Sequence, residues 1–165
     1  MSLENILLSE NVGETTKENI DYLLEIIPEL RFLVGIEYKN NSSFKETWNQ
    51  TLKALDISKA DIEIRLALLL HSIGKPFSIG EVSSDEISER MAREVLLRLN
   101  CSSDSVERIC FLILNQERPI TKRQTVENIN LTFKLYEMQR AIDLSKRSEL
   151  TDNTLKKLNP RNVSC

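Results

Sequence analysis

There is one histidine in the 165 residues of this chain, His71. That scarcity excludes most imidazole-based chemistry: no two-histidine metal site, and no cysteine–histidine nucleophile except through His71 itself. Four glycines and four prolines leave little material for long irregular segments. The three cysteines, Cys101, Cys110 and Cys165, are odd in number and lack metal-type spacing, so a disulfide framework is disfavoured and reduced thiols are expected. No run approaches the ~18 apolar residues of a membrane helix. The N-terminal MSLENILLSENVGE lacks the basic start and apolar core of a signal peptide. The expectation is a cytoplasmic protein without a membrane partner. Net charge is −3 and the pI about 5.4, so the average surface does not attract nucleic acid, although a local basic patch is compatible with it. Phosphate-loop, dinucleotide and paired-cysteine motifs are missing, as is any strand-type alternation bounded by turn residues.

What is present is helical periodicity. Apolar residues make up 41% and charged residues 28%, the balance of a globular domain. We read residues 1–150 as one helical domain and 151–165 as a polar tail that frays. Thr16 is a candidate N-cap for a helix carrying Ile20, Leu23, Leu24 and Ile27. Pro28 ends that helix or opens a short one through Leu30, Leu33 and Val34, which Gly35 stops. Asn40 to Ser43 reads as loop. Phe44 to Leu55 is the next helix, with Phe44, Trp48, Thr51, Leu52 and Leu55 on one face. Ala60 to His71 follows; Ile62, Leu66, Leu69 and Leu70 mark its inner face, and Ile64 and Leu68 widen it, so this helix should be central and buried. Ser83 and Glu86 suggest a capping box before a helix bearing Ile87, Met91, Val95, Leu96 and Leu99. Later helices are expected over Asp104–Asn115, Lys122–Ile129 and Leu131–Lys146. The fold class is all-α, six to eight helices packed irregularly. Trp48, Leu52, Leu66, Leu69, Leu70, Met91, Val95, Ile109, Ile113, Leu135 and Met138 should share one core. Phe44, Phe111 and Phe133 are core by default, Cys110 is read as a buried small hydrophobe, and Cys101 as more exposed.

The segment LALLLHSIGKP at 66–76 is the most specific signal. With IIPELRFLVGI at 26–36, TWNQTLKAL at 47–55, MAREVLLRL at 91–99 and RICFLILNQERPI at 108–120, it resembles the HD superfamily of His-Asp metal-dependent phosphohydrolases. More narrowly, it is similar to the HD region of bacterial CCA-adding tRNA nucleotidyltransferases. The blocks occur in the family's order and span about three quarters of the chain. The resemblance implies an irregular helical domain and places the family's metal-ligand positions at Gln50, His71, Ser72, Ser84, Gln116 and Ile142. The paired His-Asp becomes His71-Ser72, a histidine becomes Gln50, another about Ser84, and an Asn-His pair becomes Asn115-Gln116. A late aspartate becomes Ile142, with Asp143 turned about 100° away. The segment between Pro76 and Ser84 is also shorter than the family's usual loop.

Divalent metals need several imidazole or carboxylate donors, and these six positions offer one. No cofactor, metal site or catalytic residue is therefore assigned. The structural reading of His71 is a helix C-terminal residue favoured there as a cation by the dipole, with Gly74 supplying a left-handed turn and Pro76 preventing re-entry. Asp85, Glu86 and Glu89 read as helix-dipole compensation. Arg118, Lys122 and Arg123 are candidate phosphate contacts. The favoured function is a degenerate, non-catalytic HD-like binding or interaction module, with a nucleotide, RNA end, second copy or protein as candidate partners. One alternative is an active metal-dependent phosphohydrolase. Another is an RNA-binding remnant of a tRNA nucleotidyltransferase; nothing here resembles such an enzyme's polymerase half.

Overall fold

The computed structural model describes residues 1–35 and 42–157, with side chains described at 1–35 and 44–147. It is all-α, with no strand among the described residues. The N-terminal third is more broken than the periodicity suggests. α1 (Leu3–Leu7) is capped by Ser2, whose hydroxyl accepts from the Asn5 amide at 3.2 Å. α2 (Val12–Glu18) and α3 (Ile20–Ile26) meet at Asn19. Thr16 is therefore inside α2 and buried, not an N-cap. The helix starts earlier because Val12 is buried and the Gly13 amide donates to Asp56 Oδ1 at 2.7 Å. Pro28 opens a 3-10 turn, Pro28–Leu30, which continues as α4 (Arg31–Val34). Gly35 ends it at φ 86°, the left-handed conformation that glycine adopts without a Cβ clash.

α5 (Ser42–Ile57) packs against α2, α4, α6 and α10. It begins within the Ser42–Ser43 stretch expected as loop, while Asn40 and Asn41 lie outside the described residues. Its inner face is as expected: Trp48, Thr51, Leu52 and Leu55 are buried and Phe44 is half-buried. α6 (Ile62–Leu70) is the central helix, and every residue from Glu63 to Leu70 is buried. Asp61 caps it, accepting from the Glu63 and Ile64 amides at 3.0 Å. A 3-10 turn, Lys75–Phe77, leads to α7 (Ser84–Arg98). Ser83 caps α7 through the Asp85 amide, whereas the reciprocal capping box forms between Thr121 and Gln124 at α9 (Lys122–Glu127).

α7 and α8 (Ser103–Leu114) form an antiparallel pair joined through Asn100, which turns at φ 58°. α10 (Ile129–Lys157) crosses α5, α6 and α8. Its backbone is helical for seven residues beyond Leu150, so the tail expected to fray from Thr151 is helical as far as Lys157. Pro160 and Cys165 lie outside the described residues. The ten α-helices described exceed the six to eight expected, and the excess comes from the short helices before Gly35.

One continuous core joins these elements. All eleven residues expected in it are buried or, for Met91, half-buried against it. Phe133 is the exception among the aromatic residues expected in the core. It is 49% exposed, because α10 turns Leu135, Met138 and Ile142 inward and leaves position 133 on the outer side. The Lys59 ammonium stands 4.5 Å from its ring centroid, a cation–π contact. Phe111 is half-buried.

Two charged side chains on the apolar central helix hold distant parts of the fold together. The buried Arg65 guanidinium donates to the carbonyls of Leu7 at 2.6 Å, Ser9 at 3.1 Å and Ser58 at 3.3 Å, so it joins the α1–α2 turn to the α5–α6 turn. Glu63 accepts from Ser105 Oγ at 2.7 Å, Arg108 Nε at 2.9 Å and Lys134 Nζ at 2.7 Å, joining α6, α8 and α10.

Candidate functional site

The end of α6 positions His71. The imidazole is buried, and its Nδ1 donates to the Leu68 carbonyl at 2.5 Å. That bond fixes the tautomer and leaves Nε2 as the basic nitrogen. Burial lowers the imidazole's pKa from its ordinary 6.5 to about 4; the Leu68 bond opposes this and the Lys75 and Lys146 charges add to it. His71 is therefore neutral at pH 7, not the dipole-favoured cation expected from its place at a helix end. Removing the ring from water costs the cation more than the helix terminus returns.

Gln116 lies just beyond the end of α8. Its side-chain amide donates to the carbonyls of His71 and Ile113, both at 3.0 Å, so it ties the chain after α8 to the end of α6. Gln116 and Ile142 both border a cleft of about 350 Å³, shared with Glu117, Arg118, Gln139 and Lys146. The structure thus brings together His71, Gln116 and Ile142, positions 71, 116 and 142 of a 165-residue chain. Ser72 is buried beside them, and its hydroxyl has no hydrogen-bond partner among the described residues. Gln50 is half-buried on α5, the helix that packs against α6 and α10, and Ser84 is half-buried at the start of α7. Asp143 is exposed where Ile142 is buried, as expected from its angular offset, yet it borders the same cleft.

Gly74 has a different role from the one expected. Its φ is −82°, so it supplies no left-handed turn. It is a point of close approach: its amide donates to Ser88 Oγ at 2.9 Å, and a Cβ would fall on the Ser88 amide nitrogen and 2.8 Å from the Ile87 carbonyl carbon. The glycine lets the turn after α6 lie directly on α7.

The charges around this region are mixed. Burial lowers the pKa of Lys75, helped by Lys146 and opposed by Glu117 and Asp85. Burial likewise raises that of Asp85, helped by Glu117 and opposed by Lys75, Arg118 and Lys146. Lys146 stands 3.9 Å from Glu117. Of the three candidate phosphate contacts, Arg118 borders the cleft, whereas Lys122 and Arg123 are exposed on α9 and Arg123 pairs with Glu127 at 2.7 Å. Glu89 pairs with Arg93 at 2.7 Å across one turn of α7.

Sequence reasoning missed Lys75, Lys146 and Gln139. Gln139 donates to the carbonyls of Asn115 at 3.0 Å and Arg118 at 2.8 Å and so holds the segment that walls the cleft. Lys75 was visible in the GKP of the most specific segment. Gln139 and Lys146 carried no local signal, because their role arises only where α10 crosses the end of α8.

These residues do not fit a divalent ion. The implied set contributes one imidazole, two amides, two hydroxyls and an aliphatic side chain. The Gln116 amide is committed to two carbonyls. Among the described residues no three His, Cys, Asp or Glu side chains converge on one point. Cys101 is half-buried, and Cys110 is buried with its thiol pushed up to about 12 by desolvation, so neither is poised as a thiolate. Among the described residues no helix is long and apolar enough to cross a membrane. Neither a family model nor a curated protein sequence matches this chain.

Proposed function

We propose that this chain is a non-catalytic binding or interaction module, a degenerate HD-type domain that keeps a scaffold's site geometry after losing its metal donors. The observation that carries this reading is the Gln116 amide. At a position where the resemblance implies a ligating histidine, it holds the ends of α6 and α8 together through the His71 and Ile113 carbonyls. His71 supports the descent: Nδ1 bonded to a backbone carbonyl is the arrangement that ordinarily orients a metal-ligating imidazole. The remaining donors are neutral or aliphatic.

The cleft beside Gln116 is where such a module would bind. Arg118 and Lys146 offer cations, and Glu117 and Asp143 offer acceptors. A nucleotide brings both an anionic phosphate and base N–H donors, and it is the ligand class this mixture suits best.

The test is metal content with a gain-of-ligand variant. Protein incubated with Mn²⁺ or Zn²⁺ and then dialysed should retain no stoichiometric ion. The variant carrying Gln50→His, Ser72→Asp, Gln116→His and Ile142→Asp should retain one. An ion held in the unaltered protein by His71 and at least two further side chains would refute the reading and restore the phosphohydrolase alternative. For the cleft, AMP binding should weaken on Arg118→Ala and on raising salt.

A further inference from the structure

A second cavity, of about 460 Å³, opens where α1, α3, α6 and the start of α8 meet. Its volume lies in the range of small-molecule pockets, roughly 300–1,000 Å³. Of its aliphatic lining, Leu66 and Ile109 are buried and Leu3, Ile26, Ile62 and Leu99 half-buried. Half-buried aliphatic side chains around an open volume are under-packed relative to an ordinary interior.

The polar lining is acidic or neutral. It consists of the Glu4 and Glu63 carboxylates, the hydroxyls of Tyr22, Ser102 and Ser105, and the Cys101 thiol; no Lys, Arg or His borders the cavity among the described residues. Glu63 is already saturated by Ser105, Arg108 and Lys134. The exposed Glu4 carboxylate makes no hydrogen bond or ion pair among the described residues. The first turn of α8 would favour an anion through its dipole, but Ser102 Oγ already accepts from the Ser105 amide at 3.3 Å and Asp104 supplies the negative charge there. The cavity therefore combines an apolar lining with a single unpaired carboxylate, that of Glu4.

We infer that this cavity binds a small aliphatic or aromatic amine, with its apolar body against Leu66, Ile109 and Ile62 and its ammonium at Glu4. This site is built from other elements than the cleft beside Gln116, and the inference does not rest on the proposed function.

The probes are hexylamine, hexanol and hexanoate, which share one tail and differ in head charge. In the chain carrying Cys165→Ser, Cys101 reports occupancy, because it is half-buried and lines the cavity while Cys110 is buried away from it. Hexylamine should raise the melting temperature and slow alkylation of Cys101 by N-ethylmaleimide at least about threefold at saturation, hexanol less, and hexanoate least. Shortening the tail to butylamine should weaken binding about fourfold per methylene removed. Glu4→Gln should narrow the preference for the amine over the alcohol, and Leu99→Trp should fill the cavity and remove the response. Absence of Cys101 protection by hexylamine, or equal protection by hexanoate, would overturn the inference. A metal-retaining protein would leave it untouched, so the two readings fail separately.

Discussion

Replacing Glu63 by glutamine removes one charge from the network joining α6, α8 and α10 and leaves the shape of the side chain in place. The Glu63 side chain is 9% exposed and faces Arg108 and Lys134. Burial alone would raise the carboxyl's pKa, but the hydrogen bonds from Arg108, Lys134 and Ser105 outweigh it and lower it from an ordinary 4.5 to about 2. At roughly 1.4 kcal/mol per pH unit, that difference corresponds to about 3 kcal/mol at neutral pH. The Arg108 side chain is 41% exposed, and solvent screening of its share reduces the figure to about 2 kcal/mol. Lys134 keeps Asp61 at 3.1 Å after the substitution, which also limits the loss. Because the folded carboxyl is depressed, its stabilisation is complete above about pH 4.5 and is lost as pH falls toward 2. Urea unfolding of the wild type and Glu63→Gln should therefore show a gap of about 2 kcal/mol at pH 7, or about 4–8 °C in melting temperature for a domain of this size. The gap should close steadily below pH 4.5. The acid-sensitive contribution of His71 is common to both proteins and cancels in the difference. A gap under about 0.5 kcal/mol at pH 7, or one unchanged between pH 7 and pH 3, would refute the assignment of this network as a major tie.

Leu69 is fully buried on the central helix, and Leu69→Ala should cost roughly 2–5 kcal/mol; an unchanged urea midpoint would contradict its place in the core. Gly74→Ala should cost about 1–3 kcal/mol or more, because the obstacle is the α7 backbone at Ile87 and Ser88 and not a side chain that can turn aside; a circular-dichroism melt that does not shift would count against the close approach. His71 should titrate by NMR near pH 4, and no resonance near its ordinary 6.5 is expected. Since the unfolded chain takes up that proton first, His71 should lower stability as pH falls from about 6.5 to 4, and His71→Gln should flatten the stability curve over that interval.

Helix faces were legible in the sequence because periodicity records locally which side of a helix avoids water. Trp48, Leu52 and Leu55 on α5, Leu66 to Leu70 on α6, and Leu135, Met138 and Ile142 on α10 all lie where their spacing puts them. Gly35 was legible for the same reason, as a helix end that needs a left-handed residue is a property of a few neighbouring positions. Along the candidate site, the adjacency of His71 and Ser72 to a helix end could be read directly, and so could the angular offset between Ile142 and Asp143.

Other features required the tertiary structure. A charged residue within an apolar run does not announce its partners: Glu63 meets Arg108 and Lys134 at 45 and 71 positions' distance, and Arg65 meets Leu7 at 58. Gly74 reads as a turn glycine until α7 is laid against it. Phe133 reads as core by residue type, yet the packing of α10 turns it outward. The meeting of His71, Gln116 and Ile142 and the open volume beside Cys101 belong to the same class. Each depends on where helices far apart in the chain come to rest, which is set by how their side chains pack together and not by any one helix's pattern.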